Sequence, residues 1–239
     1  MTALSVQHVS YNYGPKQALK DISFDLEPGQ FCAVLGPNGA GKSTLFSLLT
    51  RLLIPHQGQI SLAGHDMKSD ARKALAKLGV VFQSPTLDLD MSVWRNLTYF
   101  AALQGISGVE AATRITGALE RLGMEERKSE RVRDLNGGHR RRMEIARALI
   151  HAPEVLLLDE PTVGLDTASR TAITDHVHDL TKEGLLVVWA THLVDEIRDQ
   201  DRVIILHQGE VLANDPAQNI SPLKPLNETF MEMTAMEEA

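Results

Sequence analysis

The chain has 239 residues, of which 43% are hydrophobic and 23% are charged, and this composition predicts a packed globular unit and excludes disordered and fibrous classes. Its 31 acidic residues outnumber its 24 basic residues, and the resulting net charge of −7 argues against a protein that binds nucleic acid. No apolar run approaches the roughly 20 residues that span a bilayer, and no signal-peptide pattern opens the chain, so we expect a cytoplasmic protein that does not cross a membrane.

The N-terminal part of the chain predicts a small antiparallel sheet followed by a strand, a loop and a helix. Residues 4–9 and 22–26 alternate apolar and polar side chains, as half-buried strands do, and residues 12–15 form a turn between them. Residues 30–35 form an apolar strand that runs into a glycine-rich turn and then into a helical stretch at 42–53. A junction of this kind is a common place for a binding site.

The rest of the chain predicts a larger α/β core. Short apolar runs, typical of strands buried on both faces of a parallel sheet, occur at residues 80–83, 155–159, 185–191 and 203–206. Residues from about 84 to 150 carry helical patterns instead. We therefore predict an α/β fold with a mostly parallel sheet, an N-terminal antiparallel β subdomain and an inserted helical subdomain.

The predicted domain covers residues 1–220, and residues 221–239 form a separate tail. In the tail, Leu226, Phe230 and Met233 are spaced to share one face of a helix. We expect a short helix that docks on the domain.

A segment after the third predicted strand has the spacing of a phosphate-binding loop. It fits the pattern G-x-x-x-x-G-K-[ST] and lies between an apolar strand and a helix, as the pattern requires. Backbone amides at the positive end of the helix would bind phosphate oxygens, Lys42 would neutralise the β and γ phosphates, and Ser43 would be a ligand of Mg2+. The predicted nucleotide-binding residues are Gly36, Pro37, Asn38, Gly39, Ala40, Gly41, Lys42, Ser43 and Thr44. The alternative is a glycine-rich turn without a ligand.

Two carboxylates end the apolar run at residues 155–159. Such a strand would bring Asp159 to the Mg2+ side of the loop and leave Glu160 able to polarise a water molecule. Alone, an acidic strand end is usually the solvated start of a loop. Together with the phosphate-binding loop, it predicts a P-loop NTPase core that hydrolyses a nucleotide.

Further motifs in the same order make the chain resemble the ATP-binding-cassette (ABC) ATPases over nearly its whole length. Tyr13 lies where that family has an aromatic ring that stacks on adenine, although Tyr11 is a competing candidate. Gln83 corresponds to the glutamine of the Q-loop, His192 to the switch histidine, and residues 164–166 to the D-loop that contacts a partner subunit. The resemblance implies the catalytic residues Glu160, His192, Gln83 and Lys42, the metal ligands Ser43, Gln83 and Asp159, and the ligands ATP and Mg2+.

Residues 135–139 resemble the family signature LSGGQ but depart from it at Asn136 and His139. Asparagine caps a helix N-terminus about as well as serine, so we expect the helix to start here. His139 replaces the glutamine of the signature, and histidine has an ordinary pKa of about 6.5. One hypothesis is that His139 makes ATP hydrolysis at the site depend on pH. The alternative is that the position merely tolerates histidine. The following arginines, 140–142, either approach phosphate or form a solvated face.

The family also implies an arrangement of subunits. Two cassettes would face each other head to tail, as a homodimer or cassette dimer, and each ATP would lie between one phosphate-binding loop and the partner's signature. The signature residues that would bind ATP in this way are Asn136, Gly137, Gly138 and His139. The dimer would associate peripherally with a membrane permease on the inner face of the cell membrane.

Several segments resemble the cassettes of bacterial drug and polysaccharide exporters with separately encoded permeases. They are residues 140–149, 159–166 and 226–234. An importer cassette has the same chemistry and stays an alternative. A soluble ABC ATPase of DNA repair or translation is a further alternative. A P-loop kinase or GTPase is another, although neither of these two enzymes would need the signature segment.

Overall fold

The computed structural model describes residues 2–235. The strands are β1 (Leu4–Tyr13), β2 (Lys16–Leu26), β3 (Phe31–Leu35), β4 (Gln57–Leu62), β5 (His65–Asp66), β6 (Leu78–Val81), β7 (Val155–Asp159), β8 (Leu186–Thr191), β9 (Arg202–His207) and β10 (Glu210–Pro216). The α-helices are α1 (Lys42–Leu49), α2 (Ala71–Leu75), α3 (Val93–Leu103), α4 (Gly108–Arg121), α5 (Gly137–Leu149), α6 (Thr167–Thr181), α7 (Ala217–Ile220) and α8 (Leu226–Ala235). Short 3-10 helices cover Glu125–Arg127, Val132–Asp134 and Val194–Glu196.

The smaller sheet is antiparallel, with strand order β2-β1-β4-β5. In the β1–β2 ladder, Leu4 pairs with Leu26 and Val6 with Phe24, and all four side chains are buried. Alternation places these residues on one face, as the sequence pattern predicted. β1 and β2 extend to Tyr13 and Lys16, so the predicted four-residue turn shrinks to the two residues between them, of which Gly14 has φ 56°.

The larger sheet has the order β10-β9-β3-β8-β7-β6. Its strands are parallel except for β10, which pairs antiparallel with β9. Parallel strands end at a common edge of the sheet. The segments that follow β3, β6, β7 and β8 therefore meet at this edge, although they are far apart in sequence.

The larger sheet separates two hydrophobic cores, as alternate residues of β3 show. Ala33 and Leu35 belong to the core shared with α3 to α6, whereas Cys32 and Val34 belong to the core shared with α1 and the smaller sheet. Burying one large aliphatic side chain contributes about 1.5–3 kcal/mol, so both cores hold the common strands in place. The α/β fold class predicted from sequence is confirmed.

Some elements differ from the sequence prediction. The helix predicted at 42–53 ends at Leu49, because Arg51 adopts a left-handed backbone conformation with φ 58°. The strand predicted at 80–83 runs from Leu78 to Val81, and the segment after it turns away to meet side chains of α5. Strands β4, β5 and β10 and helices α2, α6 and α7 were not predicted.

In the C-terminal tail, α8 places Phe230 in the core that includes α3 to α6, and Leu226 and Met233 pack against it. Residues 236–239 of the predicted tail lie outside the described residues. Within residues 2–235, no helix has the length and apolar character needed to cross a bilayer.

Candidate functional site

A cavity of about 580 Å3 opens at the edge of the larger sheet where its parallel strands end. This volume lies within the range of small-molecule binding sites. The predicted residues that line it are Tyr13, Pro37, Asn38, Gly39, Gly41, Lys42, Ser43, Thr44, Gln83, Asp159 and Glu160. Gly36 and Ala40 belong to the same loop but are buried and do not line the cavity.

The loop after β3 needs glycine where it enters α1. Gly41 has φ 113°, a conformation that residues with a Cβ rarely adopt. A Cβ at this position would also lie 2.8 Å from Leu19 Cδ2 and 2.9 Å from the Ala18 carbonyl oxygen. The backbone therefore passes directly into α1, whose first turn contains no acidic residue. The helix thus presents its N–H groups and positive end to the cavity, an arrangement suited to an anion.

Lys42 lies at the base of this loop, and its side chain is only 6% exposed. Its Nζ donates hydrogen bonds to the carbonyl oxygens of Gly36 at 2.6 Å and Pro37 at 3.1 Å. Burial lowers the pKa of Lys42, and the nearby carboxylates of Glu160 and Asp159 oppose that shift. The ammonium group is therefore fixed inside the loop rather than free in solvent.

Glu160 is the meeting point of three predicted catalytic side chains. Gln83 Nε2 donates to Glu160 Oε2 at 3.0 Å, and His192 Nδ1 lies 3.4 Å from Glu160 Oε1. Lys42 Nζ lies 3.9 Å from the same Oε1 atom. The fold thus brings together all four residues of the predicted catalytic set, although His192 itself does not line the cavity.

The backbone at Glu160 is held in an unfavourable conformation. Its φ of 45° is in the left-handed region, which costs a residue with a side chain about 1–3 kcal/mol. The Glu160 N–H donates to the carbonyl oxygen of Ala190 on β8 at 3.0 Å, which fixes the turn against the neighbouring strand. Strain of this kind is typical of sites where one side chain needs a defined direction.

Oxygen donors that suit a magnesium ion share the cavity with Glu160. Ser43 offers a hydroxyl oxygen, Gln83 an amide oxygen and Asp159 a carboxylate, and all three side chains line the cavity. Burial and the Glu160 charge raise the pKa of Asp159, whereas Lys42 and Arg141 oppose the shift. Hard oxygen ligands are those that Mg2+ prefers, so this donor set fits the ion.

The two candidate tyrosines occupy different places. Tyr13 is 50% exposed and lines the cavity. Tyr11 does not line the cavity and instead meets the Tyr13 ring edge-on, with 5.0 Å between ring centroids. Tyr11 also stacks on His56, with 4.7 Å between the ring centroids. Tyr11 therefore supports Tyr13, and Tyr13 is the ring available to a ligand.

The signature segment forms the start of α5. The Asn136 side chain accepts a hydrogen bond from the His139 N–H at 2.8 Å, so the predicted cap is confirmed. A Cβ on Gly137 would lie 3.0 Å from Leu165 Cδ2, so the signature packs closely against the D-loop of its own chain. The four signature residues, Asn136, Gly137, Gly138 and His139, do not line the cavity.

Two residues of α5 form a buried ion pair that was not predicted. Arg141 is 7% exposed and pairs with the buried Glu144 at 2.9 Å. The same guanidinium donates to the carbonyl oxygens of Phe82 at 2.7 Å and Gln83 at 3.0 Å. A solvated face is therefore the wrong description of Arg141. An arginine and a glutamate three residues apart on a helix were the only sequence signal of this pair.

The buried Glu196 was also missed. Glu196 follows β8, and its carboxylate accepts hydrogen bonds from Thr162, in the segment after β7, and from Thr191, the last residue of β8. Trp189 and Thr191 lie on the continuously buried strand β8 and need hydrogen-bond partners there. Two buried donors on one strand could therefore have indicated that an acidic side chain nearby accepts their hydrogen bonds.

The chain is similar to known proteins in sequence and in fold. Residues 19–163 match the family described as ABC transporter. The chain is 36% identical over 211 residues to the linearmycin resistance ATP-binding protein LnrL of Bacillus subtilis, covering 88% of this chain and 68% of that protein. It is 38% identical over 212 residues to the Nod factor export ATP-binding protein I of Rhizobium johnstonii, with the same two coverages.

Among solved structures, cbiO1 from Clostridium perfringens, part of the ABC transporter complex cbiONQ, superposes with a TM-score of 0.86. It is 30% identical, and the match covers 100% of this chain and 99% of that chain. A cassette described as the ADP conformation of MJ1267 has a TM-score of 0.82 at 23% identity, over 97% of this chain and 99% of that chain, and shares the fold.

Proposed function

This chain belongs to the ABC transporter family, and we propose that it powers export through a separately encoded membrane permease. It is an ATP-binding subunit of that family, whose members hydrolyse ATP. The observation that carries the proposed mechanism is the position of Glu160, whose two carboxylate oxygens face Gln83 and His192 beside the cavity.

In the proposed binding mode, the adenine ring stacks on Tyr13 and the phosphates lie against residues 36–44. The positive end of α1 and the Lys42 ammonium group would stabilise the negative charge of the β and γ phosphates. The exposed Tyr13 ring and the fixed position of Lys42 support this orientation. Ser43, Gln83 and Asp159 would hold Mg2+, which when bound supplies further neutralisation of phosphate charge.

Glu160 orients and deprotonates the attacking water in this proposal. As the water oxygen forms a bond to the γ-phosphorus, the bond from phosphorus to the β–γ bridging oxygen breaks, and Glu160 takes up the water proton. Gln83 and His192 hold the carboxylate in place, since each lies within 3.4 Å of one of its oxygens. His192, which is partly exposed, would also contact the γ-phosphate.

The proposed working unit is a homodimer. Subunits of this family typically dimerise, and α5 offers a capped N-terminus outside its own cavity. We propose that Asn136, Gly137, Gly138 and His139 meet the γ-phosphate bound to a second copy, where the positive end of α5 stabilises it. Residues 84–150 would then move as the helical subdomain that carries the signature.

A membrane permease is the proposed partner outside the dimer, on the inner face of the membrane. Three large apolar side chains near the Q-loop and on α3 are exposed: Phe82, Tyr99 and Leu103. Exposed apolar groups of this size are typical of protein interfaces. The direction of transport is proposed from two relatives, whose names refer to export of Nod factor and to linearmycin resistance.

Reconstitution tests the proposal. The chain and the permease encoded beside it are placed in liposomes with the cassettes facing outward, and ATP is added outside. Export predicts that compounds from a mixed pool accumulate in the lumen, whereas import predicts release of compounds preloaded there. The Glu160→Gln chain is the control for both. ATP hydrolysis that the permease does not alter, without movement in either direction, would contradict the transport role.

A further inference from the structure

Glu196 lies in the 3-10 helix Val194–Glu196, four residues after His192. It is 2% exposed, and burying a carboxylate is costly unless hydrogen bonds compensate it. A buried carboxylate so close to His192 therefore requires partners that compensate the cost of its burial.

Three donors meet this carboxylate. Trp189 Nε1 donates to Glu196 Oε2 at 2.9 Å, and Thr191 Oγ1 donates to the same oxygen at 2.6 Å. Thr162 Oγ1 donates to the other oxygen, Oε1. All three donor residues are buried. Hydrogen bonds to a charged acceptor in a buried site are strong and directional, so this network holds its members rigidly.

One donor, Thr162, lies in the segment after β7 that carries Glu160, and the other two lie on β8, which ends directly before His192. Thr162 follows Glu160 by two residues, with Pro161 between them restricting the backbone. Thr191 precedes His192 directly, and its Oγ1 also accepts a hydrogen bond from the Leu193 N–H at 2.9 Å. One carboxylate thus ties the segment after β7 to the segment after β8.

We propose that Glu196 is a positioning residue that sets the distance between Glu160 and His192. The contact between those two side chains is 3.4 Å, and Glu160 also needs its strained backbone held in place. The strained turn is held at two points. Glu196 accepts a hydrogen bond from Thr162, two residues after Glu160, and the Ala190 carbonyl oxygen accepts one from the Glu160 N–H. This inference rests on the proposed roles of Glu160 and His192.

The same network continues toward the expected dimer interface. The carbonyl oxygen of Thr162 accepts a hydrogen bond from the Leu165 N–H at 3.1 Å, and Leu165 packs against the signature glycine Gly137. Asp166 then caps α6 by accepting from the Ser169 N–H at 2.9 Å. A displacement of the D-loop by a second copy would therefore reach Glu160 through Thr162.

Replacing Glu196 itself removes three hydrogen bonds and endangers folding, so the test uses its partners. Thr162→Val keeps the shape of the side chain and removes only the hydroxyl bond to Glu196. Thr191→Val removes the second hydroxyl bond to Glu196, at the end of β8, together with the bond that Thr191 accepts from the Leu193 N–H. Thr174→Val is the matched control, because Thr174 is a buried threonine of α6 whose Oγ1 has no hydrogen-bond partner among residues 2–235. Thr162→Ser retains the hydroxyl and serves as the rescue variant.

We expect kcat for ATP hydrolysis to fall about tenfold or more in Thr162→Val and Thr191→Val, because small displacements of catalytic groups are costly. KM for ATP should change less than about twofold, since the phosphate-binding loop is untouched. Thr162→Ser should restore most of kcat, and Thr174→Val should resemble the native chain. Melting temperatures are measured for every variant.

Either valine variant with native kcat would overturn the inference, as would losses of kcat that follow the melting temperature and are not rescued by serine. If one valine variant does not fold, the other decides the matter. The Glu160→Gln chain distinguishes failure of the positioning role of Glu196 from failure of the proposed mechanism. An inactive Glu160→Gln chain beside an unaffected Thr162→Val chain removes only the role of Glu196, whereas an active Glu160→Gln chain removes the proposed mechanism.

Discussion

Gln83 and Glu160 are 77 residues apart in sequence, yet Gln83 Nε2 donates to Glu160 Oε2 over 3.0 Å. The two residues follow neighbouring parallel strands, β6 and β7, which end at the same edge of the sheet. Because Gln83 is also held by Arg141 of α5, through its backbone carbonyl, the signature helix is linked to the carboxylate that we propose as the catalytic base.

The position of Lys42 predicts a loss of nucleotide binding in Lys42→Ala. Charge-assisted hydrogen bonds contribute about 1.5–3 kcal/mol each, so the Kd for ATP should rise by about tenfold to a hundredfold. Lys182→Ala removes an exposed lysine paired with Asp179 and should leave the Kd unchanged. Titration calorimetry measures both values. Native affinity in Lys42→Ala would rule out the proposed orientation of the phosphates.

Gly41→Ala should disrupt the phosphate-binding loop. The new Cβ would be crowded by Leu19 and Ala18, and φ 113° is unfavourable for alanine, so we expect a loss of about 1–3 kcal/mol in the free energy of unfolding together with lost ATP binding. Gly105→Ala introduces alanine at φ 76° in open space and should cost only about 1 kcal/mol without affecting binding. Equal effects of the two substitutions would contradict the crowding argument.

Breaking the Arg141–Glu144 pair should be strongly destabilising. Arg141→Met leaves the Glu144 carboxylate buried without its ion-pair partner, with a hydrogen bond from the Thr86 N–H remaining, and the loss should approach the roughly 3–5 kcal/mol that is typical of a broken buried pair. Adding Glu144→Leu should recover about half of that loss or more, because a buried pair can be replaced by apolar side chains. Lys182→Met breaks an exposed pair of similar spacing and should cost less than about 1 kcal/mol. Urea unfolding provides all three values, and no recovery in the double variant would contradict the argument.

His139 predicts a pH dependence of stability rather than of activity at neutral pH. Burial lowers its pKa below the ordinary value of about 6.5, Arg127 and Arg142 lower it further, and Glu130 opposes them. The unfolded chain therefore binds a proton more readily than the native chain, and the native chain loses stability as pH falls below about 6.5. Above that pH the side chain is neutral in both states and contributes no pH dependence.

Comparison with His139→Gln checks this sign. The melting temperature of the native chain should fall relative to the variant between about pH 7 and pH 5, while ATPase profiles of the two should superimpose from about pH 7 upward. A gap in melting temperature that widens toward alkaline pH would show that the direction of the shift is wrong.

Local sequence was enough to predict the phosphate-binding loop and the acidic strand end. Gly41 must adopt a positive φ directly before α1, and Asp159 ends a strand that is otherwise entirely apolar, so both leave a pattern in a few adjacent residues. The strand order that brings Gln83 and His192 to Glu160 was available only through the family resemblance, because spacing alone does not fix which strands are neighbours.

Arg141 and Glu196 could not be predicted in the same way. Both are charged residues that sequence reasoning assigns to the surface, and both are buried because donors or acceptors from distant segments compensate them. Strand β4 was missed because Gln57, Gly58 and Gln59 are exposed and polar, leaving a short apolar pattern. These features depend on tertiary contacts.

The most direct test of the proposed mechanism is steady-state ATP hydrolysis by Glu160→Gln, with Glu154→Gln as a control at the other end of β7. Glu154 is exposed and pairs with Lys77, so its replacement should change little. We expect Glu160→Gln to bind ATP within about twofold of the native affinity and to lose about a hundredfold or more in kcat, since the general base is removed while the phosphate-binding loop is intact. Retained hydrolysis in Glu160→Gln would contradict the role of Glu160 as the general base.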